Sequence, residues 1–155
     1  MRLTGVRPIR VSAKAVIVHD GRLLLTQNQD RDGFFYLLPG GGQQPGETLK
    51  ETVQRECHEE AGIAVEVHTL LHVREYIGRN HEFAVEDGEV HQLELMFSCS
   101  IIGGVPGQGG QPDSWQVGVV WVPLAEVHQH RFYPKRLGPI LASPGSAPVY
   151  LSDVN

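Results

Sequence analysis

Apolar and small residues run from Val11 to His19, pause at Asp20-Gly21 and resume from Arg22 to Thr26. An Asp-Gly pair between two such runs predicts a hairpin, because both turn positions need positive φ. Gln27 to Gly33 is polar and reads as a loop, and Phe34 to Leu38 as a short apolar strand ending at Pro39. In Gly40-Gly41-Gly42-Gln43-Gln44-Pro45-Gly46 neither helix nor strand is expected to persist. From Thr48 to Ala61 the period changes. Leu49, Val53 and Cys57 recur every four residues and Gly62 supplies a stop, which predicts a helix.

Ile63 to Ile77 reads as a bent strand, Gly78 to Glu89 as a polar loop, and Val90 to Ile102 as a second long strand. Gly103 to Ser114, dense in glycine and proline, predicts a surface loop. Trp115 to Val122 reads as a strand and Leu124 to Val127 as a helical turn. Tyr133 to Ala142 reads as a C-terminal helix opened by Pro134, and Tyr150-Leu151 as a small closing strand. About six strands with one well-marked helix and a second near the end fit an α/β sandwich, a mixed sheet covered by helices. No repeat, linker or low-complexity block divides the chain, so residues 1–155 are expected to form one domain.

Composition narrows the class. At 155 residues and 41% hydrophobic, the chain is expected to be a soluble globular domain. No stretch approaches the ~18 consecutive apolar residues of a membrane span, and the first residues lack a secretory pattern, so a cytoplasmic protein without a membrane partner is expected. Thirteen basic against eighteen acidic residues give a net charge of −5. That argues against general nucleic-acid binding but leaves room for a single nucleotide at a local site. Cys57 and Cys99 sit in apolar surroundings, far apart in sequence, and read as two buried free thiols, with a disulfide as the alternative.

The segment that carries chemistry lies on the predicted helix. Glu56 and Glu60, four residues apart, point the same way, about 40° from each other. Glu59 lies one turn from Glu56 and about 100° from Glu60. Like charges at this spacing cost roughly a few tenths of a kcal/mol when exposed and more when partly desolvated. The helix C-terminus adds a further penalty. A hard divalent cation reverses all of these, and Mg2+ takes one or two carboxylates plus waters and phosphate oxygens. A bare Glu-x-x-Glu-Glu would read as a solvated acidic face with Lys50 and Arg55 as partners. The rest of the string decides between them: Pro39-Gly40-Gly41, Gly46-Glu47, Arg55 and Gly62 stand at fixed offsets.

That string resembles the signature of the Nudix hydrolases, G-x5-E-x7-R-E-U-x-E-E-x-G-U, with U aliphatic. Gly41, Glu47, Arg55, Glu56, Glu59, Glu60, Gly62 and Ile63 match it position by position, and Cys57 stands at the first U as a small apolar substitute. The preceding Tyr36-Leu37-Leu38-Pro39-Gly40 is similar to the family's strand into the box. The resemblance implies a Nudix-type α/β/α sandwich, with a mixed β-sheet and a loop–helix–loop metal platform. It also implies Mg2+-dependent hydrolysis of a nucleoside diphosphate linked to another moiety, with Mn2+ as a substitute cation. Carried over residue by residue, Glu56 and Glu60 would be the principal metal ligands and Glu59 a ligand or water-activating base. The Gly40 carbonyl would be a further metal contact, while Glu47 and Arg55 would pair to hold the loop against the helix. A homodimer is common among such proteins. The alternative is a nucleotide-binding sensor on the same fold without turnover. Such sensors commonly lose a metal glutamate, and this chain keeps every acidic position of the box.

Many relatives draw a base or a further ligand from outside the box. The candidates here are Glu75, Glu82, Glu86, Glu89, Glu94 and Asp113, each of which also reads as a plain surface carboxylate. Arg10, Lys14, Arg74 and Arg79 are candidates for substrate phosphates. Phe34, Phe35, Tyr36, Tyr76 and Phe83 are candidates for stacking on a base, with core packing the plainer role. Among these, Glu94, Arg74, Tyr76 and Phe35 are expected to touch substrate. His81 and His91 lack metal-ligand spacing and read as surface histidines. The window Arg79-Asn80-His81 carries neither the proline associated with ADP-ribose hydrolases nor the tyrosine associated with dinucleoside polyphosphate hydrolases. A nucleoside triphosphate, a nucleotide sugar or a similar nucleotide remains as the substrate class, with Gly78 to Glu89 and Gly103 to Ser114 expected to shape the pocket.

Overall fold

The Asp20-Gly21 pair closes a two-residue hairpin with φ of 50° and 72°, and Val18 pairs with Leu23 across it. The computed structural model describes residues 7–107, 109–145 and 147–155. The expectations for residues 1–6 and for Gln108 in the glycine-rich loop lie outside the described residues. The apolar run before the hairpin divides in two. β1 (Arg10–Val16) belongs to one sheet and β2 (Val18–His19) to another. Ile17, 2% exposed, fills the crossing between them.

Among the described residues the first sheet is mixed and runs β10 (Tyr150–Asp153), β6 (Ala64–Ile77), β7 (His91–Gly103), β1, β5 (Gly40–Gly42). The second joins β2, β3 (Arg22–Asp30), β4 (Gly33–Leu37) and β9 (Phe132–Tyr133), with β8 (Gln116–Pro123) also paired to β3. The mixed sheet with helices is as expected; the second sheet adds to it. Several boundaries differ from the sequence reading. β3 continues through Gln27–Asp30 because it is paired on both edges there and because Thr26 and Asn28 turn inward. Gly40–Gly42 forms a strand because pairing with β1 needs only backbone groups. The polar segment after β6 holds a 3₁₀ turn at Gly78–Asn80 and α2 (Ala84–Asp87). The last helix, α3, is shorter than expected (Leu137–Ala142), and Tyr133 belongs to β9.

α1 (Leu49–Ala61) carries the glutamates. Thr48 caps it: its Oγ1 accepts from the Glu51 amide at 3.2 Å and donates to the Glu51 carboxylate at 3.0 Å. Gly62 ends it with φ 66° and a bond from its amide to the His58 carbonyl at 3.1 Å, a left-handed cap that favours glycine. Val53, Cys57 and Ala61 are fully buried against Ala13 and Ala15 of β1 and Val65 and Val67 of β6. Burying a side chain such as Val53 stabilises by roughly 1.5–3 kcal/mol, which fixes the helix over the sheet. Cys57 and Cys99 are buried free thiols, and burial pushes the Cys99 thiol up to about 12. A second core, built around Met96, Phe132 and Leu137, lies on the other side of the same sheet.

Candidate active site

The glycine strand makes room for charge on both faces. Gly40 pairs with Lys14, Gly41 with Ala13 and Gly42 with Ser12. A Cβ on Gly41 would come within 2.5 Å of Glu56 Oε1 on the α1 side. On the opposite side a Cβ on Gly42 would come within 3.0 Å of the Arg10 guanidinium, and one on Gly40 would run into the Lys14 stem and the Ala13 carbonyl. Gly40 also holds φ at 145°, where side-chain residues are strained.

Arg55 organises the acidic residues. Its Nε donates to Glu47 Oε2 at 2.6 Å and its Nη2 to Glu47 Oε1 at 3.0 Å. Nη2 also reaches the Gly42 carbonyl at 3.0 Å, while Nη1 donates to Glu56 at 2.9 Å and Glu59 at 3.3 Å. Every guanidinium N–H therefore has an acceptor. Arg55, helped by the Gln44 amide, draws Glu47 down to about 2. Loop, strand and helix are tied together through this one side chain.

Glu60 is the anomaly. It is 2% exposed, its Oε2 accepts from the Gly40 amide at 3.3 Å, and its Oε1 has no hydrogen-bond partner among the described residues. Burial pushes its carboxyl up to about 8, against the field of Lys14, with Glu56 and Asp113 reinforcing the rise. An unsatisfied buried oxygen costs about 1–3 kcal/mol. Held beside Glu56 and close to Gly40, it suits the oxygen-ligand set of a divalent cation. The donor set therefore fits the metal that the signature implies.

The glycine-rich loop after β7 caps the acidic end of α1. The Gly107 amide donates to the Ala61 carbonyl at 3.0 Å, Gly109 to Glu60 at 3.1 Å and Gln111 to Glu59 at 3.2 Å. Buried Gln116 adds its Nε2 to the Glu60 carbonyl at 2.7 Å, and its Oε1 has no partner among the described residues. These donors offset the negative end of the helix beneath the carboxylates. Gln116, at the edge of an apolar strand, carries no local signal of this contact in the sequence. Lys14, a candidate for substrate phosphates, instead donates to the Gly40 carbonyl at 3.2 Å. Asp113, exposed in the same loop, lies within electrostatic reach of Glu60.

Arg74, Glu94 and Tyr76 form one cluster. Arg74 and Glu94 are a buried ion pair, with Nε to Oε2 at 2.5 Å, and Arg74 Nη1 donates to the Val154 carbonyl at 2.6 Å. The Arg74 guanidinium also lies 5.4 Å from the Tyr76 ring, whose hydroxyl donates to Asp87 at 2.7 Å. By strand register Glu94 sits beside Ser12, and Ser12 beside Gly42, in one row across the sheet. Phe35 belongs to a second cluster, 6.4 Å from the Tyr133 ring and 5.5 Å from the Arg131 guanidinium. Phe83 meets the same Tyr133 edge-on at 5.5 Å. Phe34 is exposed, and Tyr36 packs against the second core.

The other acidic candidates are paired elsewhere: Glu75 with His91, Glu82 with Lys135, Glu86 with Arg31 and Glu89 with Arg7. His81 bonds Asp153 at 2.5 Å and stacks on Tyr76, so both histidines expected at the surface are half-buried partners of carboxylates. Among the described residues no group of three or more His, Cys, Asp or Glu side chains is gathered to hold a metal ion, Glu56, Glu59 and Glu60 included.

The NUDIX domain model matches residues 8–142, so the chain belongs to that family. A human protein named 8-oxo-dGDP phosphatase NUDT18 is 32% identical over 103 residues, covering 65% of this chain and 28% of its own length. A protein of Methanocaldococcus jannaschii named ADP-ribose pyrophosphatase is 33% identical over 96 residues, or 61% of this chain and 52% of its own. The chain thus spans about a quarter to a half of these relatives. The crystal structure of a MutT NUDIX hydrolase from Burkholderia pseudomallei superposes with a TM-score of 0.67 at 28% identity, covering 85% of this chain and 96% of that one. Among the described residues no helix is long and apolar enough to cross a membrane.

Proposed function

We propose that the chain is a Mg2+-dependent pyrophosphohydrolase that cleaves a nucleoside diphosphate linked to another moiety, with Mn2+ able to substitute. The observation that carries this reading is Glu60: a buried carboxylate with an orphaned oxygen, against Gly40, on the same helix face as Glu56 and with Glu59 one turn from Glu56. Glu56, Glu60 and the Gly40 carbonyl would hold the cation. When bound, it would polarise the phosphoryl oxygens and lower the pKa of the attacking water. Glu59 accepts the water's proton or adds a further ligand. Arg55 and Glu47 position these carboxylates, so that strand and helix present them in fixed geometry. Arg74 and Glu94, a buried ion pair in the row that runs through Ser12 to Gly42, would support the site from within the sheet beside Tyr76, and Phe35 with Tyr133 would offer an aromatic surface to a base. The names of the relatives support a nucleotide substrate, from a nucleoside triphosphate to a nucleotide sugar. The buried free thiols support a cytoplasmic setting, and a homodimer in solution belongs to the same reading. The test is hydrolysis of a nucleotide panel with Mg2+ and with chelator, wild type beside Glu60→Gln. Metal-dependent product from wild type alone is expected; no turnover on any member, or equal turnover by both proteins, would reject the reading.

A further inference from the structure

Lys14 stands directly across the β1–β5 ladder from Gly40, and its ammonium donates to the Gly40 carbonyl at 3.2 Å. The path of the lysine is built into the fold. A Cβ on Gly40 would come within 2.7 Å of both Lys14 Cα and Cδ, so the stem occupies space that glycine alone leaves open. Gly40 thus faces a carboxylate through its amide, at 3.3 Å from Glu60 Oε2, and an ammonium through its carbonyl. Lys14 therefore already supplies a cation to the Gly40 carbonyl, read above as a metal contact.

We propose that Lys14 is a built-in competitor for the divalent cation: its ammonium occupies the Gly40 carbonyl that the metal would take, on the peptide group whose amide holds Glu60. This rests on the metal-site reading of Gly40 and Glu60. Two cations on one acceptor repel, most strongly where burial limits screening by water. Lys14 therefore keeps metal affinity low and the metal exchangeable. Removing its charge should tighten binding of the metal by itself, with no substrate present. A residue that merely filled space, or that only contacted substrate phosphate, would leave that affinity unchanged.

The experiment titrates Mn2+ alone into the full chain and reads free Mn2+ by electron paramagnetic resonance, with fold followed by circular dichroism and thermal melting. Lys14→Met should bind Mn2+ on the order of tenfold more tightly than wild type. Lys14→Arg, which keeps the charge, should stay within about twofold. Mn2+ should also raise the melting temperature of Lys14→Met more than that of wild type. If Lys14→Met is unfolded, Lys14→Gln carries the same comparison. Equal or weaker binding by the folded neutral variant overturns the proposal. The metal-site reading survives that result if Glu60→Gln loses the site that wild type shows. Wild type and Glu60→Gln binding Mn2+ alike overturns both.

Discussion

Gly41 lies beneath the carboxylate of Glu56, so close that a Cβ there would meet Oε1 at 2.5 Å and Cδ at 2.7 Å. The contact is with the end of a flexible side chain, and Gly41 has no positive φ, so alanine fits the backbone while displacing the carboxylate. Gly41→Ala should reduce turnover by roughly ten- to a hundredfold with little change in melting temperature. Gly40→Ala should behave differently. Its Cβ would come within 2.2 Å of the Ala13 carbonyl at a φ of 145°, so the variant should lose stability together with activity. Activity and melting curves on the two proteins check the contrast.

Arg55 serves three glutamates and a carbonyl, and a lysine cannot reproduce that fork. Arg55→Lys should lower turnover on the order of ten- to a hundredfold and weaken metal binding, since Glu56 and Glu59 lose their common donor. A kinetic comparison at saturating and limiting Mg2+ checks this: high metal should recover part of the loss.

Stability should depend on pH in two windows. Burial raises Glu60 from 4.5 to about 8, so the folded chain keeps a proton that the unfolded chain gives up. With chelator present, this contribution is whole below about pH 4.5 and is lost as pH rises toward about 8. Glu47 runs the other way: held down to about 2 by Arg55, it stabilises above about 4.5 and is lost on acidification below that. Glu60→Gln should abolish the decline between about 4.5 and 8 in chelator melts. Metal binding needs Glu60 ionised, so calorimetry in buffers of different ionisation heat should find roughly one proton released per metal near neutral pH and none well above 8.

The loop cap on α1 predicts a stability effect away from the carboxylates. A Cβ on Gly109 would meet the Glu59 carbonyl at 2.1 Å, a backbone contact that cannot yield cheaply. Gly109→Ala should cost about 1–3 kcal/mol in chemical denaturation. Hydrogen exchange should speed up at the Gly107, Gly109 and Gln111 amides, which bond the last carbonyls of the helix.

Local chemistry made part of this molecule legible in advance. Thr48, the Leu49–Val53–Cys57 stripe and Gly62 marked α1 because cap, face and stop are all local signals. Asp20-Gly21 marked its hairpin for the same reason. Pairing of distant backbone left no such trace. Gly40–Gly42 became a strand through its ladder with β1, and Gln27–Asp30 through partners on both edges. In the site, the shared face of Glu56 and Glu60 was readable from helix spacing, and Glu47 and Arg55 only from the resemblance to the family signature. Lys14 and Gln116 were not, since each reaches the box from a strand remote in sequence. The Arg74–Glu94 pair was two separate candidates until antiparallel register brought β6 and β7 together.

The most direct test of the central claim is product analysis by mass on a nucleotide panel, with wild type and Glu60→Gln each run with Mg2+ and with chelator. The account predicts that wild type with Mg2+ releases a nucleoside monophosphate from at least one class, that chelator stops it, and that Glu60→Gln lowers it by orders of magnitude. A nucleotide bound tightly by wild type and recovered unchanged after long incubation with Mg2+ would contradict it and point to a sensor on this fold.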